Sequence, residues 1–220
     1  MDISIIIPVH NLEKHIEKCL DSIKMQNYAR HNMEILVVLD SCTDKSMHLV
    51  KEWTKQNSEL TLRIFEVNCK NPGGTRNVGL DNAKGEYVYF LDGDDWFVDQ
   101  NALSKMIKGI MQSNVLKIIK YSSTKEFPEM DTVWRYLFRR SFIADTKFKD
   151  IRMSEDYAFM FTLRQKEGWS DTAIEGPLMH YNNPREGSIM TEYYAVEWPI
   201  ITQAREQFAA QMAEHSYTLQ

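Results

Sequence analysis

No stretch of this chain approaches the roughly 20 consecutive apolar residues that a membrane-spanning helix needs. The amino terminus also lacks the basic segment, apolar run and cleavage site of a secretory signal. Basic excess is missing too. Twenty-six Lys and Arg stand against 31 Asp and Glu, a formal charge of -5, so no global field draws the protein to nucleic acid or anionic lipid. Cysteine is scarce: Cys19, Cys42 and Cys69 form no C-x-x-C and no close pair, which argues against a structural zinc site and a disulfide scaffold. Repeats and low-complexity linkers are also lacking. The expectation is a cytoplasmic, soluble protein, peripheral at a membrane only through a partner. Arg135, Arg139 and Arg140 are the one conspicuous basic cluster, and they read as a solvated helix face.

What is present is a chain able to fold. With 43% hydrophobic and 11% aromatic residues over 220 positions, it can bury the core of one globular domain with a small appended region. Residues 3–9 form an almost wholly apolar, β-branched run, the kind found in strands covered on both faces. Ile16, Cys19, Leu20 and Ile23 then follow the i, i+3, i+4, i+7 spacing of one helix face. A second strand over 35–39 ends at Asp40, and a helix carrying Leu49, Val50 and Trp53 follows. Residues 62–65 give a third strand. Pro72, Gly73 and Gly74 read as a loop before a short helix from about Thr75 to Ala83.

A fourth strand over 87–91 runs into Asp92-Gly93-Asp94-Asp95, and Leu103, Met106, Ile107 and Ile110 mark the next helix. Beyond Ser113 the pattern loosens: a strand over 115–121, an aromatic and basic stretch over 134–142, and a helix starting near Glu155. A last helix over 198–213 carries Ile201, Ala204, Phe208 and Met212 towards the body or a partner. The alternating order predicts an α/β fold, a mainly parallel sheet flanked by helices, with ligands beyond the carboxyl ends of the strands.

Three carboxylates within four residues repel one another, and burial sharpens the repulsion, so the aspartate run calls for a cation. Hard oxygen ligands suit Mg²⁺ or Mn²⁺, which complete their shells with phosphate oxygens and water. Gly93 would let the chain turn sharply and leave room for a ligand. The simpler alternative is an acidic turn capping the next helix. Asp40 ends an adjacent strand, where a carboxylate can accept from a base N–H or a ribose hydroxyl. Arg76 could reach a phosphate, ribose or sugar hydroxyl through its planar fork, or pair with Asp92. Glu155-Asp156, at a helix start, could supply a general base whose pKa the helix dipole would lower, though acidic residues favour first turns with no catalytic duty.

Taken in order, these residues resemble the family 2 glycosyltransferases of the GT-A (Rossmann-like) fold. The matching stretches cover 4–11, 20–23, 37–44, 74–80, 83–87 and 90–95, then Glu155-Asp156 and, more loosely, 181–188. The resemblance implies a nucleotide-sugar donor-binding half over 1–113 and an acceptor-side half over 114–220, continuous as one domain. It implies that Pro8, His10 and Glu13 bracket the nucleotide base, that Asp40 hydrogen-bonds uracil, and that Arg76 lies near the nucleotide and donor sugar. It further implies that Asp92 and Asp94 form a D-x-D, with Asp94 the better metal contact, and that Asp156 deprotonates the acceptor hydroxyl. His180 would be a third metal ligand or a packed strand residue.

The activity so implied is inverting transfer from a nucleotide-diphosphate sugar, a UDP-sugar above others, with Mn²⁺ or Mg²⁺, to a glycan, lipid-linked or protein glycoconjugate acceptor. Homo-oligomerisation would run through the C-terminal helix. Leu39, Cys42 and Lys45 depart from the family pattern, which loosens the choice of nucleotide. Two alternatives stay open: a catalytically silent sugar-nucleotide binding protein, and a nucleotidyltransferase, for which the Gly-rich loop after the first strand is missing. Trp134, Tyr136, Trp169, Tyr193 and Tyr194 would stack on acceptor sugars or, more simply, fill the core.

Overall fold

Every residue of the first strand, β1 (Ile3–Val9), except Pro8 is buried, because the strand lies between two layers of helix. A computed structural model of the chain describes residues 1–119, 122–123, 132–151 and 154–182. After β1 come α1 (Ile16–Lys24), β2 (Met33–Asp40), α2 (Ser46–Gln56), β3 (Thr61–Val67), α3 (Pro72–Asn82) and β4 (Tyr87–Phe90). There follow β5 (Trp96–Phe97), α4 (Ala102–Ile110), β6 (Val115–Ile118), β7 (Ser122–Ser123), β8 (Tyr136–Arg139) and α5 (Arg140–Ile143). The last described elements are α6 (Glu155–Arg164), β9 (Asp171–Ile174) and β10 (Met179–Tyr181). One compact unit comprises Met1–Ser122 with Phe127–Tyr181; a second comprises Ser123–Glu126 with Asn182–Gln220 and falls almost wholly outside the described residues.

The main sheet has the order β3-β2-β1-β4-β8-β6-β9, and β5, β10 and β7 make a small separate sheet. β3, β2, β1 and β4 are parallel, whereas β8 runs antiparallel to both β4 and β6. The GT-A expectation of a mainly parallel mixed sheet flanked by helices is met. The sheet passes through the expected boundary at residue 113 without a break, since β6, β8 and β9 continue it.

Side-chain alternation divides the interior into two cores. Ile3, Ile5, Ile7 and Val9 face one, with Cys19, Leu20 and Ile23 of α1, Val50 and Trp53 of α2, and Leu103 and Met106 of α4. Ile6, Leu36, Val88, Phe90 and Phe138 face the other, with Leu80 of α3 and Phe159, Met160 and Leu163 of α6. α3 lies hard against β1 on this second face. A Cβ placed on Gly79 would come within 2.3 Å of Ile6 Cγ2, so the helix can approach the strand only where that position lacks a side chain.

Three expectations need correction. Pro72, Gly73 and Gly74 are not a loop but the first turn of α3: Asn71 caps the helix by accepting from the Gly74 N–H, and Pro72 stands where no N–H is needed. The arginine cluster is not a helix face. Arg135 is buried, and Arg139 ends β8 and pairs with Glu86, while the Arg140 Nε–H donates 2.7 Å to the Gly85 carbonyl. The strand expected over 115–121 ends at Ile118. The C-terminal helix expected over 198–213 lies outside the described residues.

Candidate active site

The carboxyl ends of β1 and β2 are laced together by their own loops. Asn11 Oδ1 accepts from the Thr43 N–H (2.8 Å) and the Asp44 N–H (3.3 Å), and Glu13 Oε2 accepts from the Lys45 N–H (3.0 Å). Asp44 returns the exchange, Oδ2 accepting from the Glu13 N–H (2.9 Å) and Oδ1 from the Ser46 N–H (2.9 Å). His10 is exposed and its Nδ1–H donates 2.7 Å to the Asp40 carbonyl. Asn11 (φ 52°) and Ser41 (φ 51°) both hold left-handed backbone here, a conformation that costs a non-glycine residue about 1–3 kcal/mol and tends to mark functional loops. Of the three residues expected to bracket a base, His10 therefore faces solvent, Pro8 is half-buried in β1, and Glu13 fixes the loop pair.

Asp40 is only 4% exposed. Its Oδ1 accepts from the Lys70 N–H (3.1 Å) and lies 3.0 Å from Ser41 Oγ. Its Oδ2 is 2.8 Å from Thr75 Oγ1, a hydroxyl equally close, at 2.8 Å, to the Asn71 carbonyl, so one proton is shared between the two. The carboxylate thus ties β2 to α3.

Arg76 is the hub. The residue is 6% exposed, and its guanidinium donates from Nη2 to Asp92 Oδ1 (2.8 Å) and from Nη1 to Glu155 Oε1 (2.6 Å). Burial opposes its charge, but Asp92, Glu155 and Asp156 outweigh burial and push its pKa further up, so it is a permanent cation. The Asp92 pairing expected as an alternative for Arg76 is present, and Glu155 is a second partner from the far side of the sequence.

Beyond β4, Asp92 and Asp94 are half-buried and Asp95 is buried. Their combined field is felt by the Cys19 thiol, whose pKa is pushed well up by burial and then by Asp95, Asp94 and Asp92 in turn. Gly93 does not turn the chain through a left-handed conformation. A Cβ there would lie 2.8 Å from Leu12 Cδ1, 3.2 Å from the Pro8 carbonyl oxygen and 3.3 Å from Val9 Cγ2, so the space beside Gly93 is filled by Leu12 and the end of β1.

Asp156 sits in the first turn of α6, behind Ser154, whose φ of 62° is again left-handed. Its Oδ1 accepts from the Tyr157 N–H (2.8 Å). The expected lowering of its pKa by the helix end is overturned. Burial and then the neighbouring Glu155 carboxylate raise it to about 6, against the opposing pull of Arg76 and the Tyr157 N–H. That places the group near the value a general base needs.

His180 is not gathered with Asp92 and Asp94. Its ring stacks on Trp96 (centroids 4.2 Å apart, 18° between planes), and Lys18 Nζ lies 3.2 Å from the centroid of the Trp96 ring. Its Nδ1 is hydrogen-bonded to Ser122 Oγ at 2.8 Å, while burial and then Lys18 lower its pKa. Among the described residues no three His, Cys, Asp or Glu side chains form a group able to hold a metal ion. The donor set still fits a smaller site: Mg²⁺ and Mn²⁺ are commonly held by one or two carboxylates and completed by substrate phosphates and water, and Asp92 and Asp94 supply two. Trp134 and Tyr136 are core residues, the former stacked on Tyr181 at 4.6 Å, and Tyr193 and Tyr194 lie outside the described residues.

A profile described as Glycosyl transferase family 2 matches residues 4–167. The chain belongs to that family. It is similar to glycosyltransferase GlyA of Streptococcus pneumoniae, 42% identical over 112 residues that make up 50% of this chain and 15% of that protein. Its fold is similar to that of TarS from S. aureus in complex with UDP-GlcNAc, with a TM-score of 0.76 and 24% identity over 87% of this chain and 61% of the other. It is also similar to a mannosyltransferase from Pyrobaculum calidifontis in complex with GDP-Man and Mn²⁺, with a TM-score of 0.72 and 20% identity over 84% and 58%. The chain spans less than two thirds of the length of these curated relatives.

The sequence named Asp92, Asp156 and Arg76 one by one, and in the structure the three act on one another electrostatically. Sequence reasoning missed Glu155 as the second partner of Arg76 and Thr75 as the partner of Asp40. Both are polar residues beside named candidates, and their burial was the signal that the sequence did not display.

Proposed function

We propose that this family 2 chain carries the donor-binding and catalytic part of an inverting glycosyltransferase, moving a sugar from a UDP-sugar to a hydroxyl of a glycan, lipid-linked or protein glycoconjugate. One observation carries the reading: Arg76 joins Asp92 and Glu155 beside Asp156, a carboxylate with a pKa of about 6. The family match and the nucleotide-sugar complexes of the structural neighbours support it.

In this reading Asp156 takes the proton of the acceptor hydroxyl as its oxygen attacks the anomeric carbon from the face opposite the departing diphosphate, which inverts the centre. Arg76 remains cationic throughout and holds Asp92 in place. The laced loops at 10–13 and 41–46 form the wall for the nucleotide, with Asp40 as the rigid floor. Asp94 and Asp92 would hold Mn²⁺ or Mg²⁺, which supplies neutralisation of the diphosphate charge when bound. Cytoplasmic placement and pairing of copies through residues 198–213 belong to the same proposal.

Thermal denaturation with a panel of nucleotide sugars, each with and without Mn²⁺, tests the donor assignment, because a ligand of the native state raises the melting temperature by mass action. UDP-sugars are expected to stabilise more with the metal than without it. Product released with the anomeric configuration of the donor, read by proton NMR, would rule out the single displacement.

A further inference from the structure

Phe148 opens a strap, residues 148–151, and lies where three site-bearing elements meet. Its ring stacks on Phe159 of α6 (4.0 Å, 5°) and meets Phe90 of β4, two residues before Asp92, edge to face (5.2 Å, 85°). The Arg76 guanidinium carbon lies 5.7 Å from the same ring. Phe148 is 3% exposed and belongs to the second core, whereas Lys147, Lys149, Asp150 and Ile151 beside it are exposed, so the strap is anchored through this one ring.

α3 grips this strap along its length. Asn77 Nδ2 donates 2.9 Å to the Phe148 carbonyl, and Asn77 Oδ1 accepts from the Phe148 N–H, also at 2.9 Å. The side-chain amide thus pairs with both backbone groups of one residue, as a neighbouring strand would, and leaves neither buried group unsatisfied. Asn71 Nδ2 donates 2.8 Å to Asp150 Oδ1. Gly73 allows the contact: a Cβ there would lie 2.8 Å from the Lys149 carbonyl oxygen and 3.3 Å from Glu155 Cβ.

We propose that Asn77 is a positioning residue which, through Phe148 and its ring stack on Phe159 of α6, sets the place of Asp156 relative to the donor-side carboxylates. It touches no reacting atom in this reading, which rests on Asp156 being the base. One helix thereby holds both sides of the reaction: Asp92 through Arg76, and the approach to α6 through Asn77. A base displaced by about 1 Å can lose on the order of a hundredfold in rate.

The test measures nucleotide release with the nucleotide sugar that most stabilises the wild-type chain, for wild type, Asn77→Asp, Asn77→Leu and Asp156→Asn. Asn77→Asp keeps the acceptor for the Phe148 N–H and loses the donor; Asn77→Leu loses both. The expected result is a graded fall in kcat, about tenfold and then about a hundredfold, with the donor dissociation constant unchanged within about twofold. Val50→Ala, a core truncation in α2 away from the site, serves as the control for lost stability and should lower Tm without lowering kcat. Wild-type kcat in Asn77→Leu alongside an inactive Asp156→Asn overturns this inference alone, as does a loss confined to donor affinity. Normal turnover by Asp156→Asn overturns the assignment of the base and this inference with it. If Asn77→Leu fails to fold, Asn77→Asp decides by the same kcat criterion.

Discussion

Asp156 and Gly93 show how a single position can be read correctly for place and wrongly for cause. Asp156 lies at a helix start as expected, yet burial and Glu155 outweigh Arg76 and the Tyr157 N–H and raise its pKa to about 6. A base must be unprotonated to act, so kcat/KM should fall below about pH 6 with the slope of one proton. Glu155→Gln, by removing a raising charge, should move that limb to lower pH. The stability consequence has the opposite sign: the raised pKa favours the protonated form in the folded state, so its contribution is present at low pH and lost as pH rises through about 6. Asp156→Asn should therefore inactivate the protein yet raise Tm at pH 8, by about 2–4 °C per kcal/mol relieved, with the gain gone near pH 4. Equal melting of the two proteins at pH 8 would count against the raised pKa. At Gly93, alanine meets Leu12, Pro8 and Val9, so Gly93→Ala should displace the loop over residues 92–95 and weaken the metal-dependent donor binding proposed for it, measured by calorimetry.

At the scale of elements, α3 organises the site. Gly79→Ala would force its Cβ against Ile6 and should cost about 1–3 kcal/mol, seen as a lower urea midpoint at unchanged m. A midpoint equal to wild type would mean that the close approach of α3 to β1 is not needed. The same helix marks the boundary of what the sequence reveals. β1, α1 and β4 were legible because an apolar run or a 3.6-residue period needs only neighbours along the chain. The start of α3 was not, because three of its first four residues are Pro and Gly, which signal loops locally; here they are kept for close contacts with Cys69, Phe148 and Lys149. β8 was illegible for a related reason: Tyr136, Leu137 and Phe138 are all buried between layers, so no alternation shows, and the adjoining arginines suggested a helix face.

At the scale of the whole molecule, the candidate site depends on a pairing across 79 residues, Arg76 with Glu155, that no local pattern encodes. The ordered set of motifs located Arg76 and Asp156 individually; only the packing of α6 against α3 shows that they share one electrostatic centre. Arg76→Met would leave Asp92 and Glu155 without their counter-charge, and breaking a buried pair in this way costs about 3–5 kcal/mol. A melting temperature within a degree of wild type would show that the pairs are incidental. The most direct test of the central claim is single-turnover release of nucleotide from donor pre-bound with Mn²⁺, comparing wild type with Asp156→Asn at equal donor occupancy. The account predicts a loss on the order of a hundred- to ten-thousand-fold with binding intact; equal rates in the two proteins would contradict it.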